Sequence, residues 1–159
     1  MKDLSSPKRI DSASRKISVS AQTIYQSFLN PASLISWLPP KGMSGTVEKF
    51  DARPGGTYKL TLTYRDMGQA SYGKSSHDTD IIQGEYLELI PNKRILQTVK
   101  FESADPSFSG EMIQTWRLEV VPEGTQVTVL CENVPEGIRK EDHEEGLRST
   151  LENLAIFTE

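Results

Sequence analysis

The sequence predicts an α+β domain in which a seven-stranded antiparallel sheet wraps around one long C-terminal helix. Three observations carry that prediction. From Gly45 to Asn133, apolar residues recur at every second position in six separate stretches, the period of half-buried strands. A seventh alternating stretch lies near the N-terminus, followed by two short helical segments. The last stretch, from Gly137 to Phe157, is the one long amphipathic helix signal, and its stripe needs a large apolar surface to cover it.

Residues 1–11 are polar, include Pro7 and predict a flexible tail ahead of a single domain over 12–159. Residues 12–19 alternate, with Ala13, Ile17 and Val19 on one face and Ser14, Lys16 and Ser18 on the other. Ser20 is placed to cap a short helix over 21–29, and Asn30-Pro31 breaks it. A second short helix over 32–37 begins with Pro31 at its first turn and stops before Pro39-Pro40.

Strands follow at 45–50, 57–64, 79–89, 94–101, 111–120 and 125–133. The second of these is the clearest, with Tyr58, Leu60, Leu62 and Tyr64 opposite Thr57, Lys59, Thr61 and Thr63. Residues 66–78 are rich in Gly, Ser and charge and read as a long mobile hairpin loop. Gly84 interrupts its strand and predicts a bulge or bend. The turns are 53–56, Pro91-Asn92 and 122–124.

The final helix, over about 139–157, puts Leu147, Leu151 and Leu154 on one face, extended by His143 and Thr150. Lys140, Glu141, Glu144, Glu145, Arg148 and Glu152 take the water-facing side, and acids crowd the first turns, where the helix dipole favours them. Gly146 stands mid-helix, where glycine costs about 1 kcal/mol relative to alanine. Close approach to the sheet or space kept for a ligand would each account for it.

Composition excludes several classes. The chain has 159 residues, 36% of them hydrophobic and 25% charged, with net charge −4, so it is globular material without the basic stripe of a nucleic-acid binder. One cysteine, Cys131, leaves no internal disulfide and no cysteine metal cluster. No apolar run is long enough for membrane insertion, and a cytoplasmic location is expected. A monomer or homodimer is expected.

The words WLPPKGM (37–43), FDARPGG (50–56), FESADPSFSGEM (101–112), ENVPEGI (132–138) and DHEEGLRSTLENLA (142–155) resemble the START-like SRPBCC superfamily. More closely, the chain is similar to its bacterial single-domain branch, related to the C-terminal domain of the activator of heat-shock-protein-90 ATPase. The resemblance spans about 15–157. It implies the helix-grip fold, shared with birch-pollen-allergen-like proteins, with two short helices propping one end of the sheet. The family's relatives include cyclases, lipid carriers, hormone-binding proteins and co-chaperones. One departure is that Leu147 stands where many members carry tryptophan in the last helix, which implies more room beneath that helix or a differently shaped pocket.

A sheet curled around one helix often cannot fill its own middle, and the gap is the usual form of a small-molecule site. Alternation assigns Ile95, Gln97, Val99 and Phe101, then Met112, Gln114, Trp116 and Leu118, then Val127, Val129 and Cys131, to the concave face. Pairing Phe101 with Gly110 would set Gln97 opposite Gln114. Two amides among apolar residues either orient a ligand or satisfy each other or a trapped water. The expected cavity residues are Trp37, Met43, Tyr58, Leu62, Tyr64, Gln97, Gln114, Trp116, Leu147 and Leu151, with Trp37 and Met43 at the mouth beside the stiff Pro39-Pro40 rim. For Trp116 and Leu151, plain core is the stronger expectation.

Chemistry-bearing clusters are scarce. His77, Asp78 and Asp80 lie together, but so short a match specifies no metal, and no metal is expected. His143 is expected as a satisfied structural residue and Cys131 as an inert buried thiol. There is no nucleophile triad, no Walker loop and no dinucleotide fingerprint, and no cofactor is expected. The function expected is therefore binding of a small apolar or amphipathic molecule in the cavity. The alternatives are a cyclase/aromatase- or hydrolase-like enzyme using the same cavity, and a co-chaperone-like domain whose partner is a chaperone.

Overall fold

The computed structural model describes residues 9–65, 73–76 and 78–159. Seven strands form one antiparallel sheet in the order β1-β7-β6-β5-β4-β3-β2. They are β1 (Ile10–Ile17), β2 (Met43–Phe50), β3 (Thr57–Tyr64), β4 (Thr79–Ile90), β5 (Arg94–Glu102), β6 (Met112–Val121) and β7 (Gly124–Glu132). Helices α1 (Ala21–Gln26) and α2 (Pro31–Trp37) lie between β1 and β2, and α3 (Lys140–Thr158) ends the chain. This is the helix-grip architecture the alternation predicts.

The local signals act as physics requires. Ser20 and Asn30 each accept a hydrogen bond from the amide three residues on, Thr23 and Ser33, and so cap α1 and α2. Pro31 begins α2, where its missing N–H costs nothing. Alternation sorts β7 cleanly: Val127, Val129 and Cys131 are fully buried on the concave face.

Two expectations are corrected. The first strand begins at Ile10, inside the segment assigned to a tail, and Asp11 is completely buried there. A charged residue at a strand's buried face gives no apolar signal, so alternation missed it. The rest of the tail expectation falls on residues 1–8, which lie outside the described residues, as do residues 66–72 and His77 of the long loop.

The second correction is Gly84. The shift of register in β4 falls between Tyr86 and Glu88. Gly84 stays in register opposite Tyr58 on β3, while the β5 ladder skips Gly84 and Glu85, so the interruption at Gly84 is a gap in pairing rather than a bulge. A Cβ on Gly84 would lie 1.9 Å from the Thr98 carbonyl oxygen and 2.7 Å from the Tyr58 hydroxyl. Glycine is there to let the Tyr58 ring cross β4 and hydrogen-bond the Thr98 carbonyl on β5.

One end of the core is closed by aromatic rings. Phe28 packs edge-on to Trp37 at 4.8 Å and to Trp116 at 5.1 Å, and the two tryptophans meet at 5.7 Å and 88°. The α3 backbone lies closest to β1, with further contacts to α2 and α1. The sheet curves away from the helix beyond these contacts, and the space between is only partly filled.

Candidate functional site: a cavity under the last helix

That space is a cavity of about 240 Å³. Of the residues read from sequence, Met43, Tyr58, Leu62, Tyr64, Gln97, Gln114, Trp116 and Leu147 line it. Trp37 and Leu151 do not. Trp37 is fully buried in the aromatic cluster, its indole N–H donating to the Ser27 carbonyl at 3.1 Å, so it seals the end of the core rather than rimming a mouth. Leu151, 1% exposed, is core one turn past the cavity. Leu38 and Pro40, both half-buried, supply the rim on that side, while Met43, 5% exposed at the start of β2, is wall rather than mouth. Three hydrogen bonds tie the rim to α3: Thr150 to the Leu38 carbonyl, Asn153 to the Pro39 carbonyl, and the Lys41 amide to Ser149.

Gly146 also lines the cavity, and a Cβ added there would meet nothing within 4 Å. Of its two explanations, close packing against the sheet is therefore ruled out; the position borders open space.

The amides pair as the register predicts, Gln97 directly across from Gln114. Their hydrogen bonds go elsewhere. The Thr98 carbonyl can only accept, so the Tyr58 hydroxyl donates to it and must accept from Gln97 Nε2 at 3.1 Å. The Trp116 indole can only donate, so Gln114 turns Oε1 to it at 3.3 Å and Nε2 to the Cys131 sulfur at 3.3 Å. Gln114 is thus engaged at both ends. Gln97 Oε1 has no hydrogen-bond partner among the described residues, although no buried side-chain polar atom among them is left unpaired, so it retains contact with the cavity space.

Sequence reasoning missed the polar end of the cavity. His143, Asp142, Asp80 and Lys74 all line it. Lys74 binds Asp80 twice, through its amide at 2.7 Å and its ammonium at 3.0 Å, and its ammonium lies over the Phe101 ring. His143 Nδ1 sits 2.7 Å from Asp11 Oδ2, and Arg9 and Lys140 also bind that carboxylate. Burial alone would push the Asp11 carboxyl up. Hydrogen bonds from Arg9, His143 and Lys140 overcome this and hold it at about 2. Burial depresses His143 below its ordinary value of 6.5, against the upward pull of Asp11. The imidazole is therefore neutral near pH 7, its one proton on Nδ1 toward Asp11 and a bare lone pair on Nε2. Asp142, with its side chain 67% exposed, marks where the cavity reaches the surface.

The remaining groups are quiet. Cys131 is fully enclosed and burial pushes its thiol up to about 12, so it is no nucleophile. Among the described residues no cluster of His, Cys, Asp or Glu is arranged to hold a metal ion. No helix among them is long and apolar enough to cross a membrane.

An antiparallel sheet gripping a C-terminal helix over an internal cavity defines a START-like, helix-grip protein. The chain belongs to the family described as "Activator of Hsp90 ATPase homolog 1-like protein", whose sequence profile matches residues 18–159. A crystal structure of a Chromobacterium violaceum protein is 32% identical, with 94% of this chain and 96% of that chain covered and a TM-score of 0.82. A Staphylococcus epidermidis protein solved by NMR is 20% identical, covering 98% of this chain and 92% of that one, with a TM-score of 0.71. An AHSA1-like protein from Aeromonas hydrophila, also solved by NMR, is 13% identical, covers 94% and 91%, and superposes with a TM-score of 0.68. The last two are similar to this chain in fold alone. No functionally curated protein matches it.

Proposed function

We propose that this protein binds a small molecule with an apolar body and a polar end in the cavity between α3 and the sheet. The carrying observation is the shape and chemistry of that cavity: about 240 Å³, with apolar walls from Leu60, Leu62, Val99, Met112 and Leu147, and with Lys74, Asp80, Asp142 and His143 gathered at one end. A cavity of about 150 Å³ is enough to hold benzene, so a one- or two-ring molecule or a short chain fits. Apolar walls give affinity in proportion to area, while a few fixed polar groups orient the guest. The test is native mass spectrometry on protein purified from its own cells. A stoichiometric adduct of a few hundred daltons or less, lost on denaturation, is the expected result; its consistent absence argues against a resident ligand.

The Asp11–His143 pair favours an enzyme as the second reading, because a neutral histidine held by a carboxylate is the usual form of a general base. No activated nucleophile accompanies it among the described residues, which ranks binding first. A protein-binding role, suggested by the family's name, ranks third; a pull-down with the chaperone tests it.

A further inference from the structure

The hydrogen-bond valences left over in the cavity say which polar end it takes. This step rests on the binding reading above. Apart from the solvent-exposed carboxylate of Asp142, two groups facing the cavity present an acceptor with no donor to fill it among the described residues. One is His143 Nε2, because Nδ1 is committed to Asp11 and no partner reaches the other nitrogen. The other is Gln97 Oε1, because the chain Thr98–Tyr58–Gln97 dictates which way the amide points. The donors and charges on the same wall are mostly spoken for. Lys74, the one cation on it among the described residues, is neutralised by Asp80, whose side chain is only 6% exposed. Gln114 is engaged at both ends. The Tyr86 phenol can turn either way and does not discriminate.

We propose that the cavity selects a neutral ligand that donates hydrogen bonds, an apolar molecule carrying hydroxyl groups, received by His143 Nε2 and Gln97 Oε1. A carboxylate in the same place would face two lone pairs and the nearby Asp80 and Asp142. An ether or hydrocarbon of the same shape would dry both acceptors without pairing them, and leaving a buried acceptor unpaired is what makes such a mismatch costly. Asp11 is a positioning residue here: it fixes the tautomer that makes Nε2 an acceptor.

Three matched fluorescent probes test this: 2-naphthol, 2-methoxynaphthalene and 2-naphthoate, titrated into the intact protein at pH 7.5. The naphthol is expected to bind at least about fivefold more tightly than the ether, the size of one well-made hydrogen bond, and the carboxylate most weakly. In His143→Phe or Gln97→Met, whichever removes the acceptor used, that preference falls. In the double variant it is gone, and the ether binds at least as tightly as to the wild type because no acceptor is left to dry. Gln97→Met leaves the Asp11 cluster untouched, so it carries the test if His143→Phe does not fold, and thermal melts decide that. Equal binding of naphthol and ether in the wild type, tighter binding of the carboxylate, or a preference that survives the double variant overturns the assignment of the acceptors and leaves the container intact. Saturable binding by none of the three removes the container reading, and this inference with it.

Discussion

His143 Nδ1 on the last helix lies 2.7 Å from Asp11 Oδ2 on the first strand, joining positions 132 residues apart. The contact fastens α3 to the sheet edge and also sets the polar end of the cavity. Arg9 and Lys140 complete it, so the fully buried carboxylate is met by three donors. Removing a buried partner leaves the others unpaired. Asp11→Ala is expected to cost about 2–4 kcal/mol, at the lower part of the range because Arg9 and Lys140 are partly exposed and can turn to water. Urea denaturation of the variant measures it.

The same cluster predicts an acid response. Asp11 is held at about 2 against an ordinary value of 3.8, so its contribution is fully present above 3.8 and is lost as the pH falls from there toward 2. His143 is depressed below 6.5, so the unfolded chain takes up its proton first, and stability falls as the pH drops below 6.5. Denaturation midpoints from pH 8 to about pH 2 should decline in two stages, and His143→Phe should remove the upper one.

Leu151 is 1% exposed at the centre of the α3 stripe. Leu151→Ala is expected to destabilise the fold by about 2–5 kcal/mol, the usual cost of truncating a buried leucine. A loss below about 1 kcal/mol would mean that the neighbouring core collapses into the space.

The two telling glycines predict opposite outcomes. Gly146→Ala puts a methyl into open space on a helix and should raise stability by up to about 1 kcal/mol. Gly84→Ala drives a Cβ against the Thr98 carbonyl and Tyr58 and should destabilise by at least about 2 kcal/mol, with the Tyr58–Gln97 link disturbed. Paired thermal melts check both signs.

The strands, their order of occurrence and the last helix were legible because each is written in a local period: two for β3 or β7, about 3.6 for α3. The Gln97–Gln114 register followed from the hairpin joining their strands. The polar end of the cavity was not legible. Asp11, Lys74 and His143 come from three distant segments, and nothing local in the sequence marks a carboxylate as buried. Trp37 was misplaced for a related reason: its proline-bounded neighbourhood reads as rim, while its ring points inward to Phe28 and Trp116. Only a packed structure distinguishes those directions.

Leu147 offers the most direct check on the central claim, because it is 7% exposed and lines the cavity from α3. An apolar fluorescent probe titrated into wild type and Leu147→Trp, with thermal melts on both, makes the measurement. The account predicts saturable binding in the wild type and affinity weakened by about tenfold or more in a folded variant, as the indole takes the guest's space. Unchanged affinity in a well-folded variant would place the probe somewhere other than under the last helix and contradict the account.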